Sequence, residues 1–215
     1  MHIMKVSNPK KIKQKDLIVF DLDGTLTPTK APMDREMAEL LAHLLAEKKV
    51  AIIGGGKYGI FKTQLLEQLK IPSKLLKNLF LFPTTATSFY VHKSDWKNVY
   101  ALKLSSAERN KIKTVFQRVF QEIGYKHPKK TYGIVIENRG TQVTFSALGQ
   151  EVVAMLGKKR GVALKEKWAQ ENSAVKMKIT KRLAELLPEL EVHAAGFTSI
   201  DVTKKALTRH TDCTR

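Results

Sequence analysis

Cysteine is all but missing from this chain: Cys213, near the C-terminus, stands alone. No disulfide framework and no multi-cysteine metal site can form within it. Long apolar runs are missing too. The run Leu17–Phe20 is far short of the ~20 residues that a membrane span needs. The N-terminal MHIMKVSNPKKIKQKD is basic but has no apolar stretch of the signal-peptide kind. The expectation is a soluble cytoplasmic protein with no membrane partner. Acidic residues are scarce: 20 Asp and Glu face 38 Lys and Arg, a net charge of +18 over 215 residues. Such a charge invites a nucleic-acid partner. The basic residues are spread along the whole chain, however, with no zinc-finger spacing and no RNP-like aromatic motif. A solvated, lysine-rich surface is the expected reading, without nucleic acid. Hydrophobic residues at 43% are enough for a core and exclude a disordered chain.

At about 100–200 residues per domain, this length holds one large domain or two small ones. The first third alternates strand and helix. Leu17–Phe20 reads as a strand buried on both faces. Asp34 caps a helix with Met33, Met37, Leu40, Leu41, Leu44 and Leu45 at helical spacing. Val50–Ile53 is a second strand, followed at once by Gly54-Gly55-Gly56. A helix through Ile60, Phe61, Leu65 and Leu69 precedes a third strand, Leu79–Phe82, stopped by Pro83. This order implies a parallel sheet with right-handed crossovers. The middle differs in texture. Phe89–Val91 and Val99–Leu102 read as strands, and Ser105-Ser106-Ala107-Glu108 is a capping box opening a helix closed by Gly124. Tyr132–Glu137 and Thr141–Ser146 form a hairpin across Asn138-Arg139-Gly140. A helix carrying Val175, Ile179, Leu183 and Leu186 ends at Pro188, before a last strand, Phe197–Thr203. The predicted fold class is α/β, with a parallel-sheet core and an inserted α+β module.

The sharpest chemical signal is Asp21-Leu22-Asp23-Gly24-Thr25-Leu26-Thr27, directly after the first strand. Carboxylates at a strand's carboxyl end project into the crevice where open α/β sheets bind ligands. One carboxylate can attack phosphorus and form an aspartyl-phosphate. The other can protonate the leaving oxygen and later activate the incoming one. Gly24 permits a tight turn, and Thr25 can tie the loop through its hydroxyl. Consecutive glycines, Gly54 to Gly56, let backbone N–H groups approach an anion.

The DLDGTLT string resembles the haloacid dehalogenase (HAD) superfamily of phosphotransferases. The resemblance makes Asp21 the nucleophile and Asp23 the general acid/base. It places Mg²⁺ on the Asp21 carboxylate and the Asp23 carbonyl, oxygen ligands that suit a hard cation. The superfamily usually has Ser or Thr near Gly54, and that hydroxyl is absent here. Glu137-Asn138-Arg139-Gly140, Ser146-Ala147-Leu148-Gly149-Gln150 and Thr198-Ser199-Ile200-Asp201-Val202 resemble the inserted cap of the HAD-IIB, phosphomannomutase-like group. By that likeness Arg139 holds the distal phosphate, while Ser199 and Asp201 contact the substrate. Lys205 matches the lysine that neutralises charge beside the nucleophile. Eukaryotic-type phosphomannomutases carry two further arginines, at the places of Tyr132 and Gln150, and neither is basic here. The implied domains are a core over 1–84, a cap over 85–203 and the start of the core's return over 204–215.

The superfamily's last metal-binding motif, a G-D-x-x-N-D-like loop, has no counterpart after Lys205, where Asp212 is the one remaining carboxylate. Dropping one base from codons for Gly-Ile-Asp-Lys-Ala-Tyr-Gly yields Ala-Leu-Thr-Arg-His-Thr, the residues from Ala206. A frame-shifted or truncated tail is therefore expected, and with it a weak or inactive chain. The expected activity of the intact protein is Mg²⁺-dependent hydrolysis of a small phosphorylated metabolite such as a sugar phosphate. A second copy docking through the cap is a further expected partner. A sugar-phosphate mutase and a non-catalytic basic binding protein are the alternatives. His43 and His193 have no Cys or His partner at zinc-ligand spacing. Trp96 and Trp168 are expected to pack within the cap.

Overall fold

The computed structural model describes residues 15–28 and 31–205. It comprises two compact units. The described residues up to Pro83, with Phe89–Val99, form the first; Thr84–Ser88 and those from Tyr100 onward form the second.

The first unit is built on β1 (Leu17–Asp21), β2 (Lys49–Ile53), β3 (Leu79–Phe82), β4 (Ser88–His92) and β5 (Trp96–Ala101), hydrogen-bonded in that order. β1, β2 and β3 are parallel and β4 turns back antiparallel on β3. Helix α1 (Arg35–Glu47) makes the first crossover, with Asp34 as its N-cap accepting from the Met37 N–H at 2.8 Å. This satisfies one of the orphan donors of the first turn. Leu41 and Leu45 of α1 pack with Val50, Ile52, Leu79 and Leu81. The next crossover is irregular. α2 (Tyr58–Phe61) widens into a π turn over Lys62–Leu66, and α3 (Ser73–Leu76) follows. The wide turn still buries Phe61 and Leu65, but Ile60 faces solvent.

β1 departs from the expectation of a strand buried on both faces. It pairs with β2 alone among the described residues, as the edge of the sheet, and Leu17 and Val19 are 48% and 55% exposed. A strand is buried on both faces only when layers cover both, and here the side chains alternate between half-buried and exposed. β4 and β5 extend this first sheet, and Trp96 packs against the first unit's core, edge-on to His92, instead of within the cap.

The second unit is an antiparallel sheet in the order β6-β7-β9-β8, formed by β6 (Ile136–Asn138), β7 (Gln142–Ser146), β8 (Leu190–Ala195) and β9 (Ser199–Lys204). Its helices are α4 (Ser106–Ile123), α5 (Val152–Leu156) and α6 (Lys158–Leu186). The capping box forms as the sequence implies, with Ser105 and Glu108 exchanging side-chain-to-backbone bonds. Gly124 ends α4 in the left-handed conformation. One sheet face is apolar: Val143, Phe145, Ile200 and Val202 pack on Ile112, Phe116 and Phe120 of α4 and Ile179 and Leu183 of α6. The rings of Phe116, Phe120 and Phe145 lie 5.0–5.7 Å apart in tilted pairs, a favourable aromatic arrangement. Trp168 joins this core. β8 is a strand that the sequence pattern does not announce.

The polypeptide enters the second unit through a left-handed turn. Thr84, Thr85 and Ala86 have φ of 51°, 56° and 62°. A cluster of hydroxyls holds it. Thr87 Oγ1 donates to the Thr84 carbonyl at 2.6 Å and lies 2.9 Å from both Thr84 Oγ1 and Thr141 Oγ1.

Candidate functional site

β1 delivers Asp21 at its carboxyl end, beside Ile53, the last residue of parallel β2. The chain then turns through a loop closed on one carbonyl. The Leu22 oxygen accepts from the N–H groups of Leu26 and Thr27 and from Thr27 Oγ1 at 3.2 Å. The hydroxyl that ties the loop is thus Thr27's instead of Thr25's. Gly24 sits at φ 85° and donates to the Thr27 carbonyl at 2.7 Å. A side chain at this φ would be strained, which is why the turn takes glycine. Leu22 and Leu26 are buried and pin the loop to the core, and the Leu22 N–H donates to the Ile53 carbonyl at 3.0 Å. Asp21 and Asp23 are held on a rigid turn as a result.

Partial burial pushes the Asp21 carboxyl above its usual range; the Leu22 N–H opposes this and the like charge of Asp23 adds to it. Crowded carboxylates of this kind are a common mark of functional sites. A bound dication would relieve the repulsion, and two hard oxygen donors fit Mg²⁺, which keeps several waters when protein-bound. Among the described residues no group of three or more His, Cys, Asp or Glu converges to hold a metal ion. Asp21 and Asp23 therefore fit part of a Mg²⁺ site.

Gly54, Gly55 and Gly56 follow β2 at the same carboxyl end. Gly54 is glycine for packing reasons. A Cβ there would lie 3.2 Å from the Phe61 ring and 3.3 Å from Leu22 Cβ. The missing hydroxyl at this position is the consequence: the Asp21–Thr27 loop and α2 close directly onto the backbone. The Gly54 N–H already donates to the Phe82 carbonyl at 3.2 Å, so an anion would have to use the loop beyond it.

The second unit gathers Arg139, Ser199 and Asp201 around the polar face of its sheet. Register places Glu137, Thr144, Asp201 and His193 side by side across the strands, with Ser146 beside Ser199. Asp201 is buried, and Thr144 donates to its Oδ1 at 2.8 Å while Gln142 Nε2 donates to Thr144 Oγ1 at 2.7 Å. Burial raises the Asp201 carboxyl above its usual range against the opposing pull of Thr144, Arg139, Gln142 and His193. Arg139 is engaged within the unit: Nε donates to Glu137 at 2.7 Å and Nη2 to Gln150 at 3.0 Å. Gln142, Thr144 and His193 are polar neighbours that sequence reasoning missed. Their signal was the period-two alternation of β7 and β8, legible only once register is known. Lys205 follows β9 with an exposed side chain, in the unit that does not hold Asp21. The tail from Ala206, with Asp212 and Cys213, lies outside the described residues. Among the described residues no helix is long and apolar enough to cross a membrane.

No family model matches the chain. Human phosphomannomutase 1 is 31% identical over 81 residues, 37% of this chain and 29% of that protein. The mouse protein is 30% identical over the same share. The chain thus spans under a third of the curated relatives it matches. Among solved structures, the C-terminal domain of Candida albicans trehalose-6-phosphate phosphatase matches with a TM-score of 0.56 at 20% identity, covering 91% of this chain and 59% of that one. Plasmodium falciparum IMP-nucleotidase matches at 0.58 with 15% identity, covering 89% and 48%. By name these relatives and neighbours are enzymes that act on phosphorylated compounds. The likeness shows the fold: a mixed α/β arrangement with a parallel-rich sheet and a separate second sheet.

Proposed function

We propose that the intact protein is a HAD-IIB enzyme that transfers a phosphoryl group from a small phosphorylated metabolite, such as a sugar phosphate, to water through Asp21. The observation that carries this reading is the Asp21–Thr27 loop, closed on the Leu22 carbonyl at the carboxyl end of the parallel strands. The phosphomannomutase match and the phosphatase-like fold support it. Asp21 attacks phosphorus and the ester P–O bond breaks, while Asp23 gives its proton to the leaving oxygen. Asp23 then takes a proton from the water that attacks the aspartyl-phosphate, releasing inorganic phosphate and restoring Asp21. The backbone beyond Gly54 cradles the phosphoryl oxygens. Lys205 neutralises charge, and Arg139, Ser199 and Asp201 contact the remainder of the substrate. Mg²⁺, when bound through the Asp21 carboxylate and the Asp23 carbonyl, supplies charge stabilisation for the transferring group. Because one carboxylate and one carbonyl leave such a cation short of anionic ligands, the described residues by themselves make a weak or inactive site.

A mutase is the second reading, favoured by the match to phosphomannomutase 1. The pairing of Arg139 with Glu137 and Gln150 counts against it, since a mutase must grip a second phosphate. A metabolite-phosphate panel run on the frame-restored protein with Mg²⁺ tests the proposal. Phosphate release that needs no sugar bisphosphate supports the phosphatase, and strict dependence on the bisphosphate overturns it in favour of the mutase. Salt-sensitive retention on heparin with no turnover of any ester points to a binding protein instead.

A further inference from the structure

The first unit has a cleft at the opposite end of its sheet from Asp21. Lys77 shortly precedes β3, and His92 closes antiparallel β4, so both lie at the amino end of the parallel strands. At ~3.3 Å per residue, the length of β1 alone puts that end about 13 Å from the Asp21 end. The cleft has a volume of about 690 Å³ and is lined by Ser73, Lys74, Lys77, His92, Lys93 and Ser94. That is the size of a small-molecule site. The three lysines make no ion pair among the described residues. Asp95 is the one acidic residue in these two segments, and its carboxylate already accepts the Trp96 N–H at 2.7 Å. His92 is nine-tenths buried, yet its Nδ1 has no hydrogen-bond partner. A buried polar atom left unpaired calls for a partner that is not part of the chain.

We propose that this cleft binds a small, multiply charged phosphate compound, held by Lys74, Lys77 and Lys93 with Ser73 and Ser94 as neutral donors and His92 at its floor. Three ammonium groups around an open surface cleft suit a polyphosphate chain or a bisphosphorylated metabolite, which presents several anionic oxygens over a short span. A nucleic acid would need a longer basic groove with stacking aromatics, and Trp96 is instead packed edge-on against His92 at 5.4 Å between ring centres. The site does not depend on the phosphoryl-transfer reading.

The test is titration of the 215-residue chain with sodium tripolyphosphate, followed by calorimetry and by the imidazole NMR signals of His92. The expected result is a saturable event in which the His92 signals shift along the same isotherm. The triple substitution of Lys74, Lys77 and Lys93 to Ala weakens binding about tenfold or more, a loss of ~1.4 kcal/mol or more. The control triple of Lys113, Lys158 and Lys159 to Ala, with equal charge removed, leaves it unchanged, as does Asp21→Asn. Equal weakening in both triples, or no shift at His92, overturns the proposal in favour of general charge attraction. A changed affinity in Asp21→Asn, where losing a negative charge would tighten an anion bound beside it, assigns the anion to the other end of the sheet and also overturns it. Tighter binding of an RNA oligomer than of tripolyphosphate, weakened equally by both triples, replaces it with a nucleic-acid surface. All lysines substituted are solvent-exposed, and the His92 signals test the site on the unmodified chain.

Discussion

Replacing Ala86 by glycine is expected to stabilise the protein, although glycine usually costs stability. Ala86 sits at φ 62°, the last of three consecutive non-glycine residues in the left-handed region. Each such residue costs about 1–2 kcal/mol, because Cβ crowds the following carbonyl. Glycine removes that cost but forfeits about 0.5–1 kcal/mol through the freedom it gives the unfolded chain. At mid-range, about 1.5 against about 0.75 kcal/mol, the remainder is a gain of about 0.75 kcal/mol. For a chain of this size, 1 kcal/mol moves Tm by about 2–4 °C, so a rise of ~1–4 °C is expected. The one contact at stake is preserved: the Tyr100 hydroxyl donates to the backbone carbonyl of residue 86 at 3.0 Å, and this does not need the methyl group. Thr84→Gly is the contrast. It relieves the same kind of strain but removes the hydroxyl shared by Ser88, Thr87 and Thr141, so Tm falls. Thermal unfolding followed by circular dichroism measures both. An unchanged or lowered Tm in Ala86→Gly would refute the assignment of strain to this turn.

Gly149→Ala is expected to act in the opposite sense: φ is +87° and a Cβ would fall onto the Tyr132 carbonyl, so a loss of ~2 kcal/mol or more should appear in denaturant unfolding. Asp201→Asn is expected to raise Tm at neutral pH. Its carboxyl is raised by burial, so its favourable contribution is complete only below the ordinary carboxylate pKa and disappears as pH rises through the folded value. Asparagine keeps an acceptor for Thr144 without the buried charge, and Tm measured from pH 4 to 8 should fall less steeply than in the wild type. Glu122 bridges Arg118 and Arg182, which lower its pKa to about 2. Its contribution is present above pH 4.5 and lost towards pH 2, so Glu122→Gln should destabilise the protein at pH 6 but not at pH 2, with the difference shrinking in high salt.

Much of the fold is legible where one local signal suffices. Asp34, Ser105, Glu108 and Gly124 mark helix ends because caps are decided within a few residues. β8 escapes because Leu190–Ala195 is short and carries Glu191 and His193, which look like a loop until β9 pairs with them. The edge position of β1 cannot be read from Leu17–Phe20, since an apolar run shows what a strand would bury and not what covers it. The catalytic candidates Asp21 and Asp23 are legible because loop chemistry and strand context coincide in seven residues. Arg139 is harder. Its identity matched a phosphate ligand, but Glu137, two residues earlier on the same hairpin, takes its Nε, and a two-residue offset gives no sign of that before the turn geometry is known.

Trapping the covalent intermediate is the most direct test of the central claim, that Asp21 accepts a phosphoryl group. The protein, with the proposed frame correction of its tail, is mixed with Mg²⁺ and an aryl phosphate, quenched in acid and mapped by mass spectrometry. The account expects one added phosphoryl group on the peptide containing Asp21, lost together with turnover in Asp21→Asn. Turnover that survives Asp21→Asn, or a phosphoryl group mapped to another residue, would contradict it.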